Sequence, residues 1–191
     1  MNRIKILVVE DNWHMRALTK SLLAAYGIKH IDCVEDTETA LKVFDENKHD
    51  IILVDWLIEP YNGIDFTRKI RENPNTPNPY VPVILMTGYS EKTRVIEARD
   101  AGITEFLVKP FTSHSLYSRI EHIIEKPRQF VKAPGYFGPD RRRMKDAPYS
   151  GPERRRAMLA KRAAGSKARA GGRRRGRLAD KVREKQQNKK T

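Results

Sequence analysis

Apolar residues in this chain fall into two alternating patterns. Short unbroken runs occur at IKILVV (4–9), IDCV (31–34), IILVD (51–55), VPVILM (81–86) and EFLV (105–108). They are apolar throughout rather than at every second position, which predicts strands buried on both faces. Between them the apolar positions recur with helical spacing. Met15, Leu18, Leu22 and Ala25 mark the buried stripe expected of the first helix, and Leu116, Ile120 and Ile123 that of the last. The stretch NPNTPNPY (73–80) holds three prolines and three asparagines and reads as a loop.

Strand and helix in strict alternation imply parallel strands joined by right-handed crossovers, with helices on both faces of one sheet. Five such units over about 125 residues predict an α/β fold, a flavodoxin-like doubly wound five-stranded parallel sheet of order 2-1-3-4-5. In such sheets ligands bind beyond the carboxyl ends of the strands, so that rim is where chemistry is expected.

The periodicity stops at Lys126-Pro127, and composition shifts with it. Residues 1–126 carry 16 Lys+Arg against 19 Asp+Glu, a balance of −3; residues 127–191 carry 22 against 5, a balance of +17. The net charge of +14 therefore belongs to the last third. The expected organisation is a domain over 1–126, a linker over 127–156, and an Arg/Lys/Ala-rich tail over 157–191 that buries too little to offset chain entropy and is disordered when alone. Cys33 is the only cysteine, which excludes an intrachain disulfide. The first apolar run is too short for a signal-peptide core, and no run approaches a membrane span. The expectation is a soluble, cytoplasmic protein.

The predicted strand ends carry the candidate chemistry. Glu10 and Asp11 follow strand one, Asp55 ends strand three, Thr87 ends strand four, and Lys109 follows strand five. The fold would bring three carboxylates, a hydroxyl and an ammonium to one rim. Crowded carboxylates repel unless a cation lies among them, and hard oxygen ligands with open positions suit Mg²⁺. Asp55 could then attack a phosphoryl group to form an acyl phosphate, with Mg²⁺ held by Asp11 and Asp55 and with Glu10 close by. Lys109 and Thr87 would offer a charge and a hydroxyl to the phosphoryl oxygens. A single acid at a strand end is usually a turn former or a helix cap; the case rests on all of these types landing together. The five histidines show no metal-ligand spacing and read as surface or capping residues.

At VVED (8–11), LVDW (53–56), MTG (86–88) and FLVKPF (106–111) the chain resembles the receiver domain of bacterial two-component response regulators, of the single-receiver, chemotaxis-regulator-like kind, over roughly residues 3–125. The resemblance implies that Asp55 is the phosphoacceptor and that Asp11, Asp55 and the Leu57 carbonyl ligate the metal, with Glu10 acting through water. Thr87 and Phe106 would be the switch pair, and the Lys109–Pro110 bond would be cis. It further implies a phosphorelay signalling protein that assists its own phosphotransfer and dephosphorylation rather than an enzyme with a separate substrate. Its donor would be a histidine kinase or histidine phosphotransfer protein, and it could form a phosphorylation-dependent homodimer through the fourth helix, fifth strand and fifth helix. One departure lies in WLIEPYNG (56–63), where Glu59 stands in the place usually held by proline and Pro60 follows one position late.

The tail contains a near-repeat, YFGPDRRR (136–143) and YSGPERRR (149–156). Each copy is expected to place a Gly-Pro turn between an aromatic anchor, Tyr136 or Tyr149, and an arginine triplet, Arg141, Arg142 and Arg143 or Arg154, Arg155 and Arg156. That layout suits docking on a protein target, the ring filling a pocket while the guanidinium forks meet acids. Two alternatives stand beside it. One is a solvated basic extension; the other is a nucleic-acid-binding arm under receiver control, acting through charge without stacking aromatics.

Overall fold

The computed structural model describes residues 3–88 and 92–140, with backbone alone over 92–94. Its main sheet is parallel and has the order β2-β1-β3-β4-β5, as the alternation predicts. The strands are β1 (Lys5–Val9), β2 (His30–Val34), β3 (Ile51–Asp55), β4 (Val83–Thr87) and β5 (Glu105–Val108). The helices between and after them are α1 (Trp13–Ala25), α2 (Thr37–Asn47), α3 (Gly63–Glu72), α4 (Lys92–Asp100) and α5 (Ser113–Glu125).

Every residue of β3 and β4 is buried, which is why their runs contain no exposed polar position. Successive side chains alternate between two cores. Leu7, Val9, Ile52, Val54 and Leu85 face Phe44 of α2 and Ile64, Phe66 and Ile70 of α3. Ile6, Val8, Leu53, Ile84 and Met86 face Leu23 of α1 and Leu116, Ile120 and Ile123 of α5. The fourth run begins as a strand only at Val83, because Pro82 has no N–H to donate, although its carbonyl still accepts from Ile52 at 3.0 Å.

Two expectations are corrected. The inward stripe of α1 is centred on Thr19 and Leu23, while Leu18 is 46% exposed and Ala25 faces outward. A polar Thr on the inner face and an aliphatic Leu on the outer one shift the apparent period by one position. His49 is buried rather than superficial, with Nε2 2.8 Å from Asp32 and its ring stacked on Phe44.

Residues 127–140, expected to belong to a linker, instead carry a hairpin of β6 (Phe130–Ala133) and β7 (Tyr136–Pro139). The turn lies at Pro134-Gly135, where Gly135 takes the left-handed conformation with φ of +75°. The Gly138-Pro139 pair expected to form a turn sits within β7. Phe130 and Phe137 pack with Tyr80 from the α3–β4 loop, with ring centroids 5.3–5.8 Å apart. Beneath them Gly138 rests on Gly102, where an added Cβ would lie 2.7 Å from the Gly102 Cα. Arg71 at the end of α3 binds this region together, donating to the carbonyls of Pro79 (2.7 Å), Val81 (2.7 Å) and Gly102 (3.1 Å), with its guanidinium 5.0 Å from the Phe130 ring centre. Burial pushes the Arg71 guanidinium down to about 10, so it remains charged at neutral pH. Tyr136 is part of the hairpin: its hydroxyl donates to the Pro139 carbonyl at 2.6 Å. Arg128 donates to the carbonyls of Thr104 and Asp140, closing the base of the hairpin.

Candidate functional site

The rim residues are delivered by strands that end in step. β1 stops at Val9, and Asn12 caps α1 by accepting from the Met15 N–H at 3.1 Å, so Glu10 and Asp11 occupy the short turn between them. Arg16, one turn into α1, donates to the carbonyls of Glu10 (2.6 Å) and Asp11 (3.2 Å) and holds that turn from behind. Asp55 closes β3 and is registered beside Met86 of β4. Lys109 follows β5, its N–H donating to the Thr87 carbonyl at 2.7 Å, and the Lys109–Pro110 bond is cis as expected.

Carboxylate oxygens of Glu10, Asp11 and Asp55 lie within 4.8 Å of one another. Lys109 is shared between two of these acids, with Nζ 2.7 Å from Glu10 Oε2 and 2.8 Å from Asp55 Oδ1. Burial raises the Glu10 carboxyl above its ordinary value. The hydrogen bond from Lys109 opposes that shift in part, and the charge of Asp55 adds to it. For Lys109, burial works against the charge, but its hydrogen bonds to Asp55 and Glu10 outweigh it and hold the ammonium above its usual range. One ammonium cannot neutralise three adjoining carboxylates, so the donor set fits a hard divalent cation such as Mg²⁺.

The structure brings Glu10, Asp11, Asp55 and Lys109 together, with Thr87 buried at the neighbouring strand end. Phe106 lies on β5, half-buried against the core that also contains Val54 and Leu85. Leu57 is 56% exposed beside the rim, Ile58 is buried, and Trp56 lies under the β3–α3 loop; Trp13 is 62% exposed. The Glu59–Pro60 bond in that loop is cis. Gly63 ends the loop because a Cβ there would meet the Asp55 carbonyl oxygen at 2.4 Å, so the loop can return this close to the acceptor strand only without a side chain. Of the tail residues, Tyr136 is placed in the hairpin, whereas Arg141, Arg142, Arg143, Tyr149, Arg154, Arg155 and Arg156 lie outside the described residues. Two residues around the rim were missed from sequence, Arg16 and Thr37. The N–H of Thr37 donates to the Glu59 carbonyl, and its hydroxyl accepts from the Tyr61 N–H. Contacts made to backbone atoms leave no mark in residue spacing. No helix among the described residues is long and apolar enough to cross a membrane.

Known proteins resemble this chain in sequence and in fold. A chemotaxis protein CheY of Pseudomonas aeruginosa is 33% identical over 123 residues, covering 64% of this chain and 98% of the relative. Chemotaxis protein CheY-3 of Vibrio cholerae is 32% identical over 123 residues, covering 64% and 93%. Among solved structures, a two-component response regulator from Clostridium difficile superposes with a TM-score of 0.59 at 26% identity, covering 65% of this chain and 98% of that one. The receiver domain of a sensor histidine kinase from Pseudomonas aeruginosa, with a magnesium ion coordinated in its active-site cleft, gives 0.58 at 27% identity, covering 64% and 98%. Residues 6–121 match the response regulator receiver domain, and with that match the chain belongs to the receiver family of two-component signalling.

Proposed function

We propose that this chain is a cytoplasmic phosphorelay switch in which Asp55 accepts a phosphoryl group from a histidine kinase or histidine phosphotransfer protein. The observation that carries the reading is the bridging of Asp55 and Glu10 by Lys109 inside a cluster of three carboxylates. An Asp55 carboxylate oxygen attacks phosphorus, the P–N bond to the donor imidazole breaks, and the imidazole leaves with its electron pair. Asp11, Asp55 and the Leu57 carbonyl would hold Mg²⁺, with Glu10 acting through water. When bound, the ion supplies positive charge against the transferring oxygens. Lys109, already beside Asp55, stabilises the same charge as a fixed point cation. Thr87 is the hydroxyl that follows the phosphoryl group, and Phe106 carries the signal by ring packing. The chain acts as a signalling domain that assists its own chemistry. The test is labelling with acetyl phosphate or a phosphohistidine donor and Mg²⁺: one base-labile group is expected on Asp55 and none in Asp55→Asn. Undiminished labelling of that variant overturns the reading.

For the output we favour docking of a protein target by the second copy of the tail repeat. The supporting observation is that Tyr136 and Gly138 of the first copy are engaged in the hairpin. The second copy keeps Tyr149, Gly151 and Pro152 but has Pro148 where Gly135 adopts φ of +75°, and proline cannot take that value. It also has Ser150 in place of Phe137. It therefore retains the aromatic and the arginines but lacks the glycine and the phenylalanine that the first copy's hairpin uses. Tyr149→Ala should abolish target binding at unchanged net charge. Binding that survives this change but collapses with salt, and falls when Arg173, Arg174 and Arg175 are removed, supports the nucleic-acid arm instead.

A further inference from the structure

The β3–α3 loop departs from the family pattern at Glu59-Pro60, and the structure shows what grips it there. Thr37, the first residue of α2, is fully buried. Its N–H donates to the Glu59 carbonyl at 3.2 Å, and its hydroxyl accepts from the Tyr61 N–H at 3.1 Å. The two bonds bracket Pro60, which has no N–H of its own to anchor that point. Asp36 holds Thr37 in place by capping α2, accepting from the Thr39 N–H at 2.8 Å and the Thr39 hydroxyl at 2.7 Å. The same loop is fixed at its ends by Trp56 N–H on the Met86 carbonyl and Gly63 N–H on the Trp56 carbonyl, and by burial of Ile58. Leu57 lies between the first of these anchors and the Thr37 clamp, and its carbonyl belongs to the ligand set assigned above.

We infer that Thr37 is a positioning residue for the phosphorylation site: its two-point clamp on Glu59 and Tyr61 sets the path of the loop and thereby aims the Leu57 carbonyl at the metal position. The inference rests on the proposed metal set. A carbonyl ligand cannot reorient by side-chain rotation, so its direction is set by the backbone on either side. On the amino side that backbone is strand β3; on the carboxyl side it is the segment Thr37 grips. Partners that orient a ligand commonly alter metal affinity by 10–100-fold when lost.

The test uses the full chain, wild type, Thr37→Val and Thr37→Ser. Valine keeps the volume and the N–H but removes the acceptor for Tyr61, while serine retains it. Two readouts are needed: Mg²⁺ affinity from Trp56 fluorescence, and exchange of the Tyr61 amide hydrogen in metal-free protein. Thr37→Val should bind Mg²⁺ about tenfold more weakly and exchange the Tyr61 amide faster, and Thr37→Ser should restore both toward wild type. A Thr37→Val chain whose Tyr61 amide exchanges faster while Mg²⁺ affinity is unchanged overturns the inference and leaves the functional reading standing. A wild-type chain with no Mg²⁺ response, matched by Asp11→Ala, overturns the functional reading and this inference with it. A loss of Mg²⁺ affinity that serine fails to restore assigns the effect to packing and also overturns it.

Discussion

Replacing Gly138 by alanine isolates the contact that seats the hairpin on the receiver. The new methyl would lie 2.7 Å from the Gly102 Cα and 2.8 Å from the Tyr136 hydroxyl. The first of these is backbone and cannot swing aside, and Gly102 is itself held at φ of +91° with its carbonyl bonded to Arg71. The hairpin must therefore shift outward, loosening the Tyr80, Phe130 and Phe137 packing, in which each ring pair contributes about 0.5–1.5 kcal/mol. Overfilling a contact of this kind costs roughly 1–3 kcal/mol. At about 4 °C per kcal/mol for a domain of this size, Tm should fall by about 4–12 °C. Thermal unfolding followed by far-UV circular dichroism reads the shift, and amide exchange at Val131, which faces Gly138 in a hydrogen-bonded pair of the ladder, reads the loosening directly. Gly151→Ala in the second copy is the control and should leave Tm where it was. Unfolding of Gly138→Ala at the wild-type temperature would refute the close approach as a source of stability. An equal fall in Gly151→Ala would refute the asymmetry between the copies.

Asp11→Ala should weaken Mg²⁺ binding severely and Glu10→Gln less, since Glu10 is assigned to act through water; fluorescence titration of Trp56 checks both, and an unchanged Asp11→Ala titration counts against the pocket. Because the Glu10 carboxyl is raised above 4.5, the stability of its protonated form is complete below that value and is lost as pH rises through the folded one, so Mg²⁺ affinity should climb with pH across that window and the climb should flatten in Glu10→Gln. Thr87→Ala should still accept phosphate at Asp55 yet lose phosphorylation-dependent partner binding, and full retention of that binding would route the signal elsewhere. Arg71→Met should destabilise the domain by about 2–5 kcal/mol in urea unfolding, because the Val81 and Gly102 carbonyls are left buried without a donor.

The sheet and the acid cluster were legible because their causes are local. A strand buried on both faces tolerates only apolar residues, so IILVD and VPVILM announce themselves, and parallel topology then sends their ends to one rim. Glu10, Asp11, Asp55, Thr87 and Lys109 were found as a set for that reason. The α1 stripe was misread because Thr19 occupies an inner position and Leu18 an outer one, so hydropathy and burial disagree within a single turn. Arg71 reads as an ordinary cation in the last turn of a helix. Its burial follows from three carbonyls on two other loops and from Phe130, which lies 59 residues onward.

The repeat shows most clearly where a pattern of residues stops carrying structure. Its copies agree at six of eight positions, and both were expected to make a turn at Gly-Pro. In the first copy the turn falls one residue before the motif, at Gly135, and Gly138 is used as flat surface against Gly102. The determinants are thus Gly135, which lies outside the eight, and Phe137, one of the two positions at which the copies differ. The first copy's hairpin uses two residues that the second copy lacks. The shared positions carry, in the first copy, the fold-back of the Tyr136 hydroxyl onto the Pro139 carbonyl, and in both copies a triplet of arginines in the sequence. Removing these two determinants from the first copy is therefore the stricter experiment. Phe137→Ser together with Gly135→Pro should convert the first copy into the likeness of the second and release it from Arg71 and Tyr80. A first copy that stays seated with both changes would show that the shared residues suffice, and the division between a structural copy and a docking copy would fall.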